Sequence, residues 1–174
     1  ADLNKVFGSI MTHDVDYADL YFQYSRSEAW SLEEGIVKSG SFNIDEGFGA
    51  RAISGEKTAF AYSDDISSLA LGDAASAVRA IAAAGQKRKT KVPATRNMVG
   101  HALYVPHDPL ASLDATAKVK LLERLEAYAR AEDPRVTQVM AHIAGEYEVV
   151  LIAGSDGRLA ADIRPLVRVS ITVF

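Results

Sequence analysis

The chain has 174 residues, of which 48% are hydrophobic and 24% are charged. This composition is that of a folded globular protein and excludes the apolar-poor, highly charged mixtures that stay disordered. The net charge is −4 with both signs interspersed, so binding to nucleic-acid phosphates is not expected. The sequence contains no cysteine, which excludes disulfides and thiolate ligands within it and suits a reducing compartment.

The two ends of the sequence carry separate information. The first residues include the acidic Asp2 and lack the apolar run of a signal peptide or a membrane span, so we expect a cytoplasmic protein without membrane association. Residues 163–174 alternate as a strand does and then stop without a turn. Because an interrupted strand leaves its ladder incomplete, we expect the chain to be a piece of a longer protein, truncated in this strand.

The first part of the chain predicts a short helix followed by strands. Apolar residues at helical spacing predict an amphipathic helix over residues 3–11. Aromatic and apolar residues that alternate with polar ones predict strands over residues 18–32 and 36–44. A turn at residues 33–35 is expected between them.

A hairpin and a longer helix are predicted next. Two short apolar runs flank a polar, glycine-containing turn at residues 54–57, which is typical of a β-hairpin. Asp64 and Asp65 are expected to cap an alanine-rich helix that runs from about residue 66 to residue 84. The sequence therefore predicts a sheet followed by a helix.

A second long helix is predicted between Asp114, a candidate N-cap, and the Asp133–Pro134 pair, which should end it. Its apolar stripe is predicted to consist of Leu121, Leu122, Leu125, Tyr128 and Ala129. Its charged residues are predicted to lie largely off that stripe: Lys118, Lys120, Glu123, Arg124 and Glu126.

The remaining residues predict a three-stranded antiparallel meander. Strands are expected over residues 139–143, 147–153 and 159–174, with a tight turn at residues 155–158 before the last strand. Strands, helix, linker, helix and strands in this order indicate an α+β fold with antiparallel sheets and two main helices packed against them. We expect an N-terminal unit over residues 1–92 and a helix plus meander over residues 93–174.

The Gly47–Ala52 segment matches a dinucleotide-binding fingerprint only loosely. That fingerprint holds pyrophosphate because its glycines bend the chain between a strand and a helix N-terminus. Here the glycines lead into a predicted hairpin, so close packing of strands is the better interpretation.

The histidines and the basic run give no strong site. No pair among His13, His101, His107 and His142 has the spacing of a helical zinc motif, and a loop site at His101, His107 and Asp108 lacks a credible further ligand. Surface or structural roles are favoured for them. The basic run at residues 87–91 has no interleaved aromatic residues, so a solvated linker is favoured over a nucleic-acid patch.

Three arginines remain as candidate binding residues. Arg164 and Arg168 share the less apolar face of the last strand, and Arg51 is expected to sit similarly in the hairpin. Their guanidinium groups are suited to a carboxylate, a peptide terminus or an acidic partner. The alternative is a solvated strand face. No catalytic and no metal-binding residue is predicted.

Three segments together suggest a family. Residues 16–23, 46–62 and 160–168 read DYADLYFQ, EGFGARAISGEKTAFAY and AADIRPLVR. In this order they resemble the N-terminal region of the TldD/PmbA family of zinc metallopeptidases, and the glycine-hairpin segment favours its TldD branch over the PmbA (TldE) branch. The resemblance spans nearly the whole chain.

The resemblance implies a cytosolic zinc metallopeptidase in which a TldD subunit pairs with a TldE/PmbA subunit and acts on unfolded or pre-cleaved peptides. It also implies links to antibacterial-peptide maturation, antitoxin turnover and modulation of DNA gyrase. The family's zinc is held by an HExxxH helix and a later cysteine in the C-terminal part, and neither occurs here. The resemblance therefore implies zinc in the parent protein and none bound by this chain.

The expected role of this region is to shape the substrate enclosure, to dock the partner subunit or a second copy, or both. Extended peptide could add to a sheet edge. The alternative is a stand-alone regulatory or binding module, such as a modulator of DNA gyrase.

Overall fold

The computed structural model describes residues 3–11, 15–83 and 103–174. In chain order its elements are α1 (Leu3–Ile10), β1 (Tyr17–Glu33), β2 (Ile36–Ser54), β3 (Lys57–Ser63), α2 (Ser68–Ala83), α3 (Ala115–Glu132), β4 (Val139–Gly154) and β5 (Leu159–Val173). The five strands form one antiparallel sheet in the order β3-β2-β1-β4-β5. The α+β fold class with antiparallel strands is confirmed. No helix in the described ranges is long and apolar enough to cross a membrane.

The chain divides into two compact units, and each is assembled from three separate segments. The first unit takes residues 1–24, 45–102 and 149–162, and the second takes the residues between and after them. Strands β1, β2, β4 and β5 each contribute residues to both units. The predicted boundary between residues 92 and 93 lies outside the described residues and stays a prediction.

In the first unit, helices α1 and α2 pack on the sheet around small side chains. Ala50, Ala52 and Ala59 from the β2–β3 hairpin are buried, and so are Leu71 and Val78 of α2. Alanine on both surfaces lets a helix and a sheet approach closely, and every buried residue of this cluster is apolar. Apolar packing therefore holds the helices of this unit on the sheet.

Helix α2 begins later than predicted and has a different cap. Ser67 accepts a hydrogen bond at its Oγ from the Ala70 N–H at 3.1 Å, whereas Asp65 accepts one from the Ser67 hydroxyl. The prediction that Asp64 and Asp65 cap the helix is wrong, because residues 64–67 separate the end of β3 from the start of α2 and Ser67 lies directly before the helix. Asp114 caps α3 as predicted and accepts from the Ala117 N–H at 2.7 Å.

In the second unit, α3 packs on β1 and β4 through a smaller apolar cluster. Its buried members are Leu32, Leu122, Ala141 and Ile143. The predicted stripe of α3 is wrong in part: Tyr128 is 62% exposed, while Lys118 and Glu126 are each only 7% exposed. Both charged residues are buried because acceptors and donors from other segments meet them.

The predicted three-stranded meander is wrong by one strand, because β4 runs without interruption through Gly145. A Cβ at this position would lie 2.6 Å from the Cδ2 of Leu110. Gly145 therefore makes room for a side chain packed on the strand and does not mark a turn. The strands predicted over residues 36–44 and in the first arm of the hairpin are likewise one strand, β2.

The hairpin turns are confirmed where the sequence predicts them. Glu34 and Gly35 both have positive φ, at 54° and 70°, as a two-residue turn between β1 and β2 requires. Gly55 and Gly157 also have positive φ in the turns that follow β2 and β4. The β2–β3 register pairs Arg51 with Phe60 and Gly49 with Tyr62.

Candidate functional site

The three predicted arginines differ in what holds them. Arg51 belongs to the first unit, where its Nε donates to Oδ2 of Asp19 at 3.0 Å and its Nη2 donates to the same carboxylate. These hydrogen bonds raise the pKa of Arg51 above its usual range. Arg51 is therefore occupied by a carboxylate of its own sheet face.

Arg164 and Arg168 belong to the second unit and lie four residues apart on β5. Nη1 of Arg164 donates to Oε2 of Glu148 on β4 at 3.1 Å. Arg168 is exposed and has no ion-pair or hydrogen-bond partner within the described residues. The structure thus leaves one of the three guanidinium groups available.

Arg168 borders a shallow groove of about 240 Å³ in the second unit. Its lining residues are Ser27, Glu28, Ala29, Ser41, Ala144, Gly145, Glu146, Leu166 and Arg168. Most of these side chains are small, so backbone atoms of the strands lie close to anything that enters. Such a surface suits an extended chain with a negative group near Arg168.

A second recess of about 160 Å³ lies beside the next residues of the same strand. It is mainly apolar, and its lining residues are Glu28, Trp30, Pro109, Leu110, Ser112, Leu113, Lys118, Leu121, Ile143, Ala144, Gly145, Val167 and Val169. Leu166 and Arg168 line the groove, whereas Val167 and Val169 line this cavity. Strand alternation therefore places β5 between two recesses, one on each face of the strand.

The polar wall of the cavity is a buried ion pair. Nζ of Lys118 donates to Oε2 of Glu28 at 2.7 Å and to the carbonyl oxygen of Leu110 at 2.7 Å. The two side chains are 8% and 13% exposed. Burial opposes the charge of Glu28, but hydrogen bonds from Lys118 and Trp30 outweigh it and hold its pKa below the usual value.

A second ion pair fixes the segment in front of α3. Arg26 pairs with Asp108, and its guanidinium carbon lies 5.6 Å from the centre of the Tyr147 ring. Asp108 also accepts from the Leu110 N–H at 2.9 Å. With Lys118 on the Leu110 carbonyl, these contacts hold this segment over the cavity.

The described residues offer no grouped set of ligands for a zinc ion. Asp108 is taken by Arg26, His107 is exposed, and His13 and His101 lie outside the described residues. Over residues 3–11, 15–83 and 103–174 no three histidine, aspartate or glutamate side chains are grouped as a metal site requires.

The outer side of β5 is an open edge in the described sheet. Phe174 and Gln138 exchange backbone hydrogen bonds at 3.0 and 3.3 Å, and Gly154 donates to Arg158 at 2.8 Å. Since bonded residues recur at every second position of an antiparallel ladder, even-numbered residues of β5 face β4. Odd-numbered residues, from Val167 to Val173, present their N–H and C=O groups outward.

Pro165 ends this open ladder. It is odd-numbered, so its missing N–H falls on the outer side, where proline is tolerated in an edge strand. From Val167 onward the residues whose backbone groups face outward are Val167, Val169, Ile171 and Val173, and these residues are 43–51% exposed. In the described sheet the unpaired ladder of β5 therefore runs from Val167 to Val173.

Two protein-family models match successive segments of the chain. Residues 18–84 match the model of PmbA/TldA metallopeptidase domain 1, and residues 108–174 match the model of the PmbA/TldA metallopeptidase central domain. The chain belongs to the PmbA/TldD family of metallopeptidases.

Within that family its relatives are TldD homologues. The chain is 52% identical over 167 residues to the metalloprotease TldD homolog of Haemophilus influenzae, covering 95% of the chain and 34% of the relative. It is 42% identical over 173 residues to the TldD homolog of Buchnera aphidicola subsp. Schizaphis graminum, covering 99% of the chain and 35% of the relative. The chain thus spans about a third of these proteins and matches their N-terminal region.

Solved structures show the same fold at low identity. A protein of Bacteroides thetaiotaomicron, described as a candidate modulator of DNA gyrase, has a TM-score of 0.76 and 14% identity, covering 99% of this chain and 41% of its own. TldE from Thermococcus kodakarensis has a TM-score of 0.66 and 16% identity, covering 98% of this chain and 39% of its own. The fold is therefore common to both branches of the family.

Proposed function

We propose that this chain is the non-catalytic N-terminal region of a TldD-like zinc metallopeptidase subunit. The parent protein would degrade unfolded or pre-cleaved peptides in the cytoplasm together with a TldE/PmbA-like subunit or a second copy. The names of the relatives support peptidase activity, and their greater length leaves room for a metal centre elsewhere. This region would shape the substrate enclosure and the subunit interface.

We place the peptide contact at the outer edge of β5. A substrate strand would form main-chain hydrogen bonds with Val167, Val169 and Ile171, which do not depend on sequence. Its alternate side chains would point toward the apolar cavity and toward the groove beside Arg168. Arg168 would hold a carboxylate, either of a side chain or of the peptide terminus.

The observation that carries this proposal is the open ladder of β5 between two recesses. Unfolded and pre-cleaved peptides can extend fully, and strand addition is the binding mode that accepts many sequences. Arg51 is less suited to this role, because Asp19 already occupies its guanidinium group.

The test uses the full-length protein that contains these residues, with its partner subunit. Arg168→Ala should raise KM about tenfold for peptides with an acidic residue or a free C-terminus, with kcat nearly unchanged, since a binding contact is lost. Arg164→Ala is the matched control and should change KM less than about twofold, because Arg164 is exposed and bound to Glu148. Equal effects of the two variants would contradict the role of Arg168.

The alternative of a DNA gyrase modulator rests on the names of solved proteins at or below 14% identity, which show a common fold. The basic run at residues 87–91 lies outside the described residues. No described residue favours this function over the peptidase one.

A further inference from the structure

The first unit exposes an aromatic pair on β3 that its core does not use. Phe60 is 60% exposed and Tyr62 is 80% exposed, and their rings stack with centroids 6.1 Å apart. Their neighbours in the strand alternate inward, where Ala59 is buried under α2. Large aromatic side chains stacked on a solvent-facing sheet surface are typical of binding sites.

Two glycines keep the surface beside these rings clear. A Cβ at Gly47 would lie 2.8 Å from the carbonyl oxygen of Ser63, and a Cβ at Gly49 would lie 3.0 Å from the Phe60 ring. The glycines therefore let β3 and its aromatic rings lie close to β2, and they leave the sheet surface at these positions free of side chains, which forms the floor of a groove. This confirms close strand packing as the role of the glycine segment.

An open groove of about 580 Å³ lies over this floor. Its lining residues are Tyr21, Gln23, Asp45, Glu46, Gly47, Phe48, Tyr62, Ser63 and Asp64. Tyr21 from β1 and Tyr62 from β3 supply aromatic side chains from opposite sides of β2. We call this recess the aromatic groove.

The charge at the aromatic groove has one sign. Asp45, Glu46 and Asp64 are exposed, and none of them has a hydrogen-bond or ion-pair partner in the described part of the chain. Neither Phe60 nor Tyr62 has a cation over its ring among those residues. Arg51, the nearest cation by register, is bound to Asp19.

Carboxylates and aromatic faces attract the same kind of ligand. A guanidinium or ammonium group gains from the ring quadrupole and from each unpaired carboxylate, and its aliphatic stem packs on the rings. Three uncompensated acids around two aromatic residues therefore complement arginine or lysine side chains. An open groove on a sheet surface suits an extended backbone better than a compact ligand.

We propose that the aromatic groove docks an extended, arginine- or lysine-bearing segment of a partner protein. This site is separate from the β5 edge by its residues and its charge preference, and it does not depend on the peptidase proposal. The cation of the partner lies between Tyr62 and the carboxylates of Asp45 and Asp64.

The test is a nuclear magnetic resonance titration of the isotope-labelled 174-residue chain with an acetylated, amidated hexapeptide of alternating arginine and threonine. At about 0.05 M salt, where surface charges are weakly screened, its addition should shift backbone amides of Tyr21, Gly47 and Tyr62. A peptide with citrulline in place of arginine keeps the shape and removes the charge, and it should not bind.

Two variants sharpen the test. Tyr62→Ala should weaken binding about fivefold by removing the cation–π contact, and Asp64→Asn should weaken it about threefold. Tyr128→Ala and Glu123→Gln are matched exposed changes on α3 and should leave binding unchanged.

Four results would overturn the proposal. The first is no amide shift at about 5 mM peptide, a concentration at which even a millimolar affinity would be visible. The second is equal binding of the citrulline peptide, and the third is equal weakening of binding by the α3 variants. The fourth is self-association of the chain that Tyr62→Ala abolishes without any peptide binding, which would make the groove a contact between copies.

Discussion

The two units stabilise their helices on the sheet by different physical means. In the first unit, α2 meets the sheet through alanine, leucine and valine, and every buried residue of its cluster is apolar. In the second unit, α3 buries Lys118 and Glu126 against groups from other segments. Burial of an apolar side chain is insensitive to pH, whereas a buried ion pair is stable only while both partners are charged.

Each buried charged residue of α3 also acts as a tether, meaning that its hydrogen bonds hold another segment of the chain in place. Lys118 holds the Leu110 carbonyl and Glu28, while Glu126 accepts from the Gly35 N–H at 2.8 Å and from Nε of Arg130 at 3.1 Å. One helix thus fixes the segment above the cavity and the β1–β2 turn. Apolar packing could not specify these contacts, because it has no direction.

The largest expected effect comes from breaking the tether at Lys118. Lys118→Met should lower the free energy of unfolding by about 3–5 kcal/mol, because Glu28 is left buried without its partner. Urea unfolding of the chain followed by far-UV circular dichroism measures this. The double variant Lys118→Met with Glu28→Gln should recover part of the loss, and a single-variant loss below about 1 kcal/mol would contradict the assigned pair.

A core change in the first unit gives the matching comparison. Leu71→Ala should lower the free energy of unfolding by about 2–4 kcal/mol through the cavity it leaves. This loss should stay the same from neutral to mildly acidic pH, since no titratable group lies in that cluster. Urea unfolding at several pH values measures it, and a loss that varies with pH would remove the contrast between the units.

The pH dependence of the second unit follows from Glu28. Its pKa is lowered in the folded chain, because hydrogen bonds from Lys118 and Trp30 outweigh the opposing effect of burial. The pair therefore stabilises the fold fully above the usual glutamate pKa, and this stabilisation is lost as the pH falls through the lower folded value. The difference in unfolding free energy between the unmodified chain and Glu28→Gln should shrink on acidification. A constant difference would show that Glu28 is not ionised in the fold.

A smaller effect is expected at the start of α2. Ser67→Ala should cost about 1 kcal/mol of stability by removing the acceptor for the Ala70 N–H. Asp64→Ala is the control for the sequence-based assignment of the cap and should change the thermal midpoint little. The reverse order of the two effects would place the cap at Asp64.

Much of the fold follows from short-range signals in the sequence. The positive-φ turns at Glu34–Gly35, Gly55 and Gly157 and the cap at Asp114 depend on neighbouring residues, so local patterns predict them. Gly145 has the same local appearance as a turn glycine. Its true role depends on Leu110, which is 35 positions away in sequence and close only in the fold.

The candidate sites are less predictable from the sequence, because they too depend on contacts between residues that are distant in the chain. The sequence names Arg51, Arg164 and Arg168 alike, and only the contacts with Asp19 and Glu148 distinguish the free one. The sequence pattern does not predict that Lys118 is buried, because a charged residue on a helix is usually exposed. Lys118 precedes Leu121 by three residues and Leu122 by four, and residues at these spacings lie on the same side of a helix. This spacing is the signal in the sequence that Lys118 shares the buried face.

The proposed function requires that an extended peptide adds to the outer edge of β5. Amide hydrogen exchange by nuclear magnetic resonance, with and without an unfolded peptide, tests it directly. We expect slower exchange at the outward N–H groups of Val167, Val169 and Ile171. Little change is expected at Leu166 and Arg168, whose N–H groups face β4 by the same alternation. Protection of even- and odd-numbered residues alike, or of neither, would contradict it.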